Sequence, residues 1–138
     1  MSKDRNIVFT RDEFSWIDMK FRRMYKTSHA IAKGTALGTK KDPGILKRKT
    51  FLAVKEVRDL TRSLSGGELP EFITMTLKPH QVKIIRQITE DFAAKLTKTY
   101  VPEYEKRISI KPNEELTLKL EALKKLLKLM KSVLGKLQ

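Results

Sequence analysis

The sequence predicts an all-α fold in which a basic helix–hinge–helix arm is followed by a small helical bundle. Three observations lead to this prediction. Apolar residues recur at spacings of three and four through most of the 138-residue chain, which is the period of a helix with one buried face. Glycine and proline interrupt this period at intervals that suit helix ends. Basic residues concentrate in the first half, where residues 1–64 contain 16 Lys and Arg against 7 Asp and Glu.

The first predicted helix begins at Thr10, after an extended or disordered arm of residues 1–9. Thr10 and Glu13 match a capping box, in which the hydroxyl and the carboxylate each accept a hydrogen bond from a backbone N–H that the helix leaves unpaired. Apolar residues then follow a helical stripe at Phe14, Ile17, Phe21, Met24 and Ile31. Gly34 is the predicted end of this helix.

Residues 34–44 are predicted to form a hinge, because their glycines and lysines have no apolar period. Asp42 and Pro43 then suit the N-cap and the first position of a second helix. This helix is predicted to run to Leu64, where Ser-Gly-Gly follows. Residues 1–64 therefore form the predicted arm.

The predicted body comprises residues 65–138. Residues 68–77 are expected to form an extended connector, since their β-branched and aromatic residues are typical of a short strand but no partner strand is evident. Pro79 opens a third helix with a close helical period, and Pro102 ends or kinks it. Pro112 and Asn113 provide a stop and a cap before the last helix.

The last helix has a heptad seam of large apolar residues. They recur in alternating steps of four and three: Leu116, Leu120, Leu123, Leu127, Met130, Leu134 and Leu137. Other leucines widen this seam beyond what a two-stranded coiled coil needs, so it should pack against a bundle, a neighbouring subunit or a membrane. The Leu- and Lys-rich composition is typical of membrane-surface peptides, but an intersubunit contact is the favoured interpretation.

Net charge restricts the function classes. The formal charge is +14 and the pI is about 10.1, which indicates nucleic acid or an anionic membrane surface as the partner. Between Met19 and Lys55, eleven Lys or Arg stand against one acid, Asp42. Ion pairs need both signs, so this window is not expected to stabilise itself through them. Phosphates would relieve its self-repulsion.

We therefore predict a nucleic-acid-binding surface on the arm. The candidate residues are Lys20, Arg22, Arg23, Lys26, Lys33, Lys40, Lys41, Lys47, Arg48, Lys49, Lys55, Arg58 and Arg62. Lysine predominates and lacks the bidentate geometry that distinguishes bases, so binding should not depend on sequence. Trp16, Phe21 and Tyr25 are candidates for stacking on bases, although Phe21 also fits the apolar stripe.

Catalytic and metal chemistry are not indicated. The sequence has no cysteine, no Gly-rich phosphate loop followed by Lys-Ser/Thr, and neither a His-Glu-x-x-His nor a Gly-x-Ser-x-Gly motif. His29 and His80 lie far apart in the sequence and are expected to be ordinary helix residues. We expect no enzyme activity, no cofactor and no metal. No apolar run approaches the roughly 20 residues of a spanning helix, so synthesis in the cytoplasm is expected.

The segment Phe14–Tyr25, which interleaves aromatic and basic residues, resembles the arm helix in the major coat proteins of filamentous archaeal viruses with linear double-stranded DNA, the adnaviruses. Small size, lack of cysteine, a basic helix–hinge–helix arm and a helical C-terminal body follow the same plan. The basic pI is most similar to the enveloped tristromavirus branch. By pattern, the resemblance covers residues 10–64. It implies that paired coat proteins wrap the duplex with their arms, hold it in A-form and place helical bodies outside.

The resemblance implies that phosphates meet Lys20, Arg22, Arg23, Lys26, Lys40, Lys41, Lys47, Arg48 and Lys49. The chain would be one of two related coat proteins in a virion, made in the host cytoplasm, with itself or the second coat protein as partner and a lipid envelope as a further contact. Two other interpretations stay open: a small helical subunit of a CRISPR-type ribonucleoprotein, and a cellular chromatin protein. A coat protein should copurify with duplex DNA in filaments, whereas such a subunit should bind single strands about as well.

Overall fold

The computed structural model describes the backbone of residues 3–36 and 48–138, and the side chains of residues 3–27 and 50–138. Over these ranges the chain is mostly helical, which confirms the predicted class in its coarse form. The elements are β1 (Arg5–Thr10), α1 (Arg11–Ala36), α2 (Arg48–Leu64), β2 (Phe72–Leu77), α3 (Pro79–Lys95), a π-helical turn (Leu96–Tyr100), α4 (Val101–Ile110) and α5 (Glu114–Leu137).

The chain divides into two compact units, Met1–Ile84 and Ile85–Gln138. The predicted boundary between arm and body lies after residue 64. In the structure, β2 and the beginning of α3 belong to the same unit as α1 and α2. The functional division into arm and body stays a prediction.

The first unit contains a two-stranded antiparallel sheet that the all-α prediction did not include. β1 pairs with β2 in a register that places Arg5 opposite Leu77 and Thr10 opposite Phe72. Alternate residues are buried on both strands, namely Ile7, Phe9, Ile73, Met75 and Leu77. One face of the sheet therefore joins the core. Residues 72–77 are a strand rather than a connector, and their partner is the segment predicted to be an extended or disordered arm.

The capping box at the start of α1 is confirmed. The backbone N–H of Thr10 donates to Oε1 of Glu13 at 2.8 Å, and the backbone N–H of Glu13 donates to Oγ1 of Thr10 at 3.2 Å. The helix continues to Ala36, past its predicted end at Gly34, since a glycine inside a helix costs only about 1 kcal/mol. Most of the predicted hinge, with Asp42 and Pro43, lies outside the described residues.

The core of the first unit is formed by the inner faces of its helices and its sheet. α1 contributes Phe14, Trp16, Ile17 and Phe21, and α2 contributes Val54 and Val57. Trp16 lies off the main apolar stripe, and its burial shows that α1 has an apolar surface wider than one stripe. The first unit is thus ordered around α1, which contacts α2 and both strands.

In the second unit, Pro102 does not end the helical run. The backbone N–H of Val101 donates to the carbonyl oxygen of Leu96, a bond one residue longer than in an α-helix. Proline has no N–H to donate and its ring collides with the preceding turn. The π-helical turn Leu96–Tyr100 accommodates these effects directly before the proline, as π-bulges do in other helices. α4 then continues to Ile110.

α5 begins at the predicted cap and contacts α4 and the π-helical turn. The side chain of Asn113 accepts a hydrogen bond from the backbone N–H of Glu115 at 2.8 Å, which confirms the cap. At the other end, Nη2 of Arg86 donates to the carbonyl oxygen of Leu137 at 2.8 Å. Met130, Val133 and Leu137 are the buried residues of this helix.

Replacing Met75 with alanine tests whether the sheet belongs to the core. Met75 is 1% exposed, so its truncation should lower the free energy of unfolding by about 2–5 kcal/mol. The neighbouring Thr74 lies on the exposed face of the same strand, so Thr74→Ala should change it by less than about 0.5 kcal/mol. Chemical denaturation of both variants measures the difference. Equal effects would contradict the observed register.

Candidate nucleic-acid interface

One flank of α1 meets one flank of α2 at a cluster of two aromatic rings and an arginine. The rings of Tyr25 and Phe51 stack with centroids 5.5 Å apart and an interplanar angle of 21°. The guanidinium carbon of Arg58 lies 4.1 Å from the centroid of the Tyr25 ring. A guanidinium this close to a ring is attracted to the ring's negative face. The contact fixes which sides of the two basic helices lie together.

Helical spacing places further cations around this contact. Arg22 lies one turn before Tyr25 on α1, and Lys26 lies one turn after Arg22. On α2, Lys55 and Arg62 lie one turn before and one turn after Arg58. We call these five residues the basic face: Arg22, Lys26, Lys55, Arg58 and Arg62. All except Arg58 are exposed.

The two arginines nearest the contact have structural partners. Nε of Arg22 lies 2.9 Å from Oδ1 of Asp18, and its Nη2 donates to Oγ of Ser65 at 3.0 Å. Nη2 of Arg58 lies 2.9 Å from Oδ1 of Asp59. The basic window Met19–Lys55 thus contains an ion pair, that of Arg22, and its acid comes from outside the window, at Asp18; Arg58 and Asp59 both lie beyond Lys55.

The three remaining cations of the basic face are not neutralised in this way. Lys26, Lys55 and Arg62 make no ion pair with any described residue. They come from two helices and lie near a contact that contains Arg58 and has Arg22 one turn away. An anionic polymer lying on this face would meet positive charges that form no ion pair with any described residue.

The structure does not bring every predicted binding residue to the basic face. Arg23 is exposed but lies two residues from Tyr25, about 160° around the helix. Lys20 is half-buried and already has a partner. Lys33, Arg48 and Lys49 lie in helices, but their side chains are outside the described residues. Lys40, Lys41 and Lys47 are outside them altogether.

The aromatic residues that the sequence offered for base stacking are used inside the fold. Trp16 is 3% exposed and Phe21 is fully buried. The ring of Tyr25 contacts Phe51 and Arg58. Trp16 and Phe21 therefore present no open ring to a base, and the stacking expectation is wrong for these two; the half-buried Tyr25 ring is already used in a contact within the fold. The sequence did not reveal this for Trp16, because its position fell off the apolar stripe.

The other side of α2 is acidic. Glu56 lies two residues from Arg58, about 160° around the helix, and lines a shallow groove with Asp4, Asp59 and Lys78. Nε2 of His80 lies 2.6 Å from Oε2 of Glu56. This hydrogen bond, assisted by the nearby charges of His80 and Lys78, lowers the pKa of Glu56 against the smaller opposing effect of burial. Glu56 thus stays ionised to lower pH than an isolated glutamate.

The predicted subunit-packing seam on α5 is divided in the structure. Met130 and Leu137 are buried within the chain itself. The other seam residues are half-buried, namely Leu116, Leu120, Leu123, Leu127 and Leu134. Part of the seam thus serves the second unit's own core, and the remainder is partly open to solvent.

The comparisons with known proteins give no assignment. Neither protein-family models, nor curated proteins, nor solved structures match this chain. In the part of the chain that the structure describes, no three or more His, Cys, Asp or Glu side chains are grouped as metal ligands. None of the described helices combines the length and apolarity needed to cross a membrane.

The pH dependence of stability tests the link between Glu56 and His80. Because the folded-state pKa of Glu56 is lowered, the stabilisation is present above the ordinary pKa of 4.5 and is lost as pH falls through the folded-state value. Glu56→Gln should therefore reduce the free energy of unfolding at pH 6, and its difference from the wild type should shrink at lower pH. Denaturation at several pH values measures this difference.

The double-variant cycle with His80→Gln is the control. Once His80 is replaced, the change at Glu56 should have little further effect at pH 6. A full effect of Glu56→Gln in the His80→Gln background would show that the two side chains are not coupled.

Proposed function

We propose that this chain is a structural protein that coats double-stranded DNA by binding its phosphate backbone, as a viral coat protein of the filamentous archaeal type. The observation that carries the proposal is the basic face. There, Lys26, Lys55 and Arg62 from two helices surround the Tyr25–Arg58 contact without an ion-pair partner among the described residues. In this proposal, the basic residues of the predicted hinge and of the rest of the predicted arm also bind DNA.

The chemistry of the basic face suits phosphates rather than bases. Each cation that neutralises a phosphate releases a condensed counterion, and this release provides most of the affinity in sequence-independent binding. Reading bases requires directed hydrogen bonds from side chains that enter a groove. Single-stranded DNA is usually held by stacking on open aromatic rings. Trp16 and Phe21 are buried and the Tyr25 ring already contacts Phe51 and Arg58, which favours a duplex over a single strand at this face.

Coating a polymer also requires contacts between copies. On one flank of α5, Leu116, Leu120, Leu127 and Leu134 are half-buried, so apolar surface is left for another chain. The partner in this proposal is a second copy or a related coat protein. A contact that repeats from copy to copy without closing produces a helical filament along the DNA. Such an assembly accounts for the predicted place of the protein in a virion.

The combined variant Lys26→Gln, Lys55→Gln and Arg62→Gln tests the basic face. Binding to a duplex should weaken equally for A·T-rich and G·C-rich sequences, because phosphates are the same in both. The slope of log Kobs against log salt should become shallower by about 0.9 for each lost phosphate contact, and so by up to about 2.7. Fluorescence anisotropy over a salt series measures both quantities.

The matched control removes three cations of the same unit away from the basic face, Lys3, Lys78 and Lys83, all of which are exposed. Its salt slope should stay close to that of the wild type. Equal slopes for the two triple variants would mean that only net charge matters, and the basic face would not be the binding surface.

Assembly is tested by Leu120→Gln together with Leu127→Gln. These two half-buried residues lie seven positions apart on the same flank of α5. Polar side chains there should prevent filaments from forming on duplex DNA, as seen by negative-stain electron microscopy, while circular dichroism confirms an unchanged helix content. Filaments of normal length from the folded variant would show that this flank makes no contact between copies.

A further inference from the structure

The second half of α5 carries a row of lysines that the proposed binding surface does not include. Between Ala122 and Gln138 the sequence has five lysines and no acidic residue. Lys124, Lys128 and Lys131 recur at spacings of four and three, which places them along one side of the helix. All three are exposed. We call these three residues the lysine row.

The lysine row lacks the acidic neighbours that other cations of the second unit have. Arg107 pairs with Glu103 at 2.7 Å and Lys119 pairs with Glu115 at 3.4 Å, both one turn apart. Glu121, three residues before Lys124, is the one acid of α5 within a turn of the row. It is too far along the helix to reach Lys128 or Lys131. The helix positions three and four residues from Lys128 and Lys131 contain no acid. Like charges at these spacings destabilise a helix.

The helix dipole does not account for the row. Cations stabilise the C-terminal end of a helix, but the effect falls off within the last turn. α5 ends at Leu137, so Lys124 and Lys128 lie two or more turns before that end. An external anion would compensate these charges.

The buried residues of α5 fix the direction in which the row points. Lys128 lies two residues before Met130, about 160° around the helix from this fully buried side chain. The C-terminal part of the apolar face of α5, which lies beside the row, packs on its own chain at Met130, Val133 and Leu137. A membrane-surface helix needs that face for the lipid. The row is therefore better suited to a polymer of phosphates than to a bilayer.

We propose that the lysine row is a second surface for the phosphate backbone of duplex DNA, so that each compact unit of the chain contacts the polymer independently. Lys131 lies seven residues after Lys124, so the row is about 10 Å long at a rise of 1.5 Å per residue. A duplex presents one negative charge per about 1.7 Å of its axis, and so about six over this length. Three lysines therefore meet an excess of phosphates.

This inference rests on the proposed function, since it assumes that DNA is the polymer. The two are nevertheless separable, because the basic face belongs to residues 1–84 and the lysine row to residues 85–138.

The test is the salt dependence of duplex binding by the full chain in which Lys124, Lys128 and Lys131 are all changed to Gln. The slope of log Kobs against log salt should become shallower by up to about 2.7. The matched control changes Lys95, Lys98 and Lys106, which are exposed on the helical run before α5 in the same unit; Asp91 lies one turn before Lys95, and Glu103 lies one turn before Lys106. It should leave the slope unchanged.

Each outcome decides one point. If the lysine-row variant keeps the wild-type slope, the row is an ordinary solvated surface and the inference is wrong. If its DNA slope is unchanged but its binding to phosphatidylserine vesicles falls, the row binds lipid instead. If the lysine-row variant flattens the slope and the basic-face variant does not, the basic face is not a binding surface but the lysine row is. If the wild-type chain binds no duplex, both proposals fail.

A thermal melt monitored by circular dichroism confirms that each variant is folded. The double variant Lys124→Gln, Lys128→Gln should give a slope between those of the wild type and the triple variant.

Discussion

The repulsion between like charges at the contact of α1 and α2 is the constraint on which the account depends. Packing Tyr25 against Phe51 and Arg58 joins two basic helices, and their cations are brought together as a result. Asp18, Asp59 and the Tyr25 ring compensate the two arginines closest to the contact. Lys26, Lys55 and Arg62 make no ion pair with any described residue, and in the proposal an anionic partner supplies the opposite charge.

A local cap, apolar burial and one polar contact between helices hold this face in place. The capping box at Thr10 and Glu13 fixes the start of α1, and the sheet buries alternate apolar residues beneath it. On the far side of α2, Glu56 and His80 join that helix to the first turn of α3. Of the two acids of α2, Glu56 is used on the side opposite Arg58, whereas Asp59 pairs with Arg58 and also lines the groove beside Glu56.

Sequence reasoning succeeded where the physical cause is local. The caps at Thr10 and Asn113 and the helical periods involve residues within one or two turns of each other, so spacing alone revealed them. It failed where the cause is distant. The strands β1 and β2 are separated by more than sixty residues, and the short alternation in Ile7–Phe9 gains meaning only from its partner. The grouping of cations into one face likewise required the contact at Tyr25, since adjacent positions such as Arg22 and Arg23 point about 100° apart.

The central claim is that a phosphate polymer lies against the basic face. Lysine acetylation of the intact chain, mapped by mass spectrometry with and without duplex DNA, tests it most directly. The account predicts that Lys26 and Lys55 become protected by DNA while Lys3 and Lys83, on other parts of the same unit, react as before. Protection of all four lysines to the same extent, or of Lys3 and Lys83 alone, would contradict it.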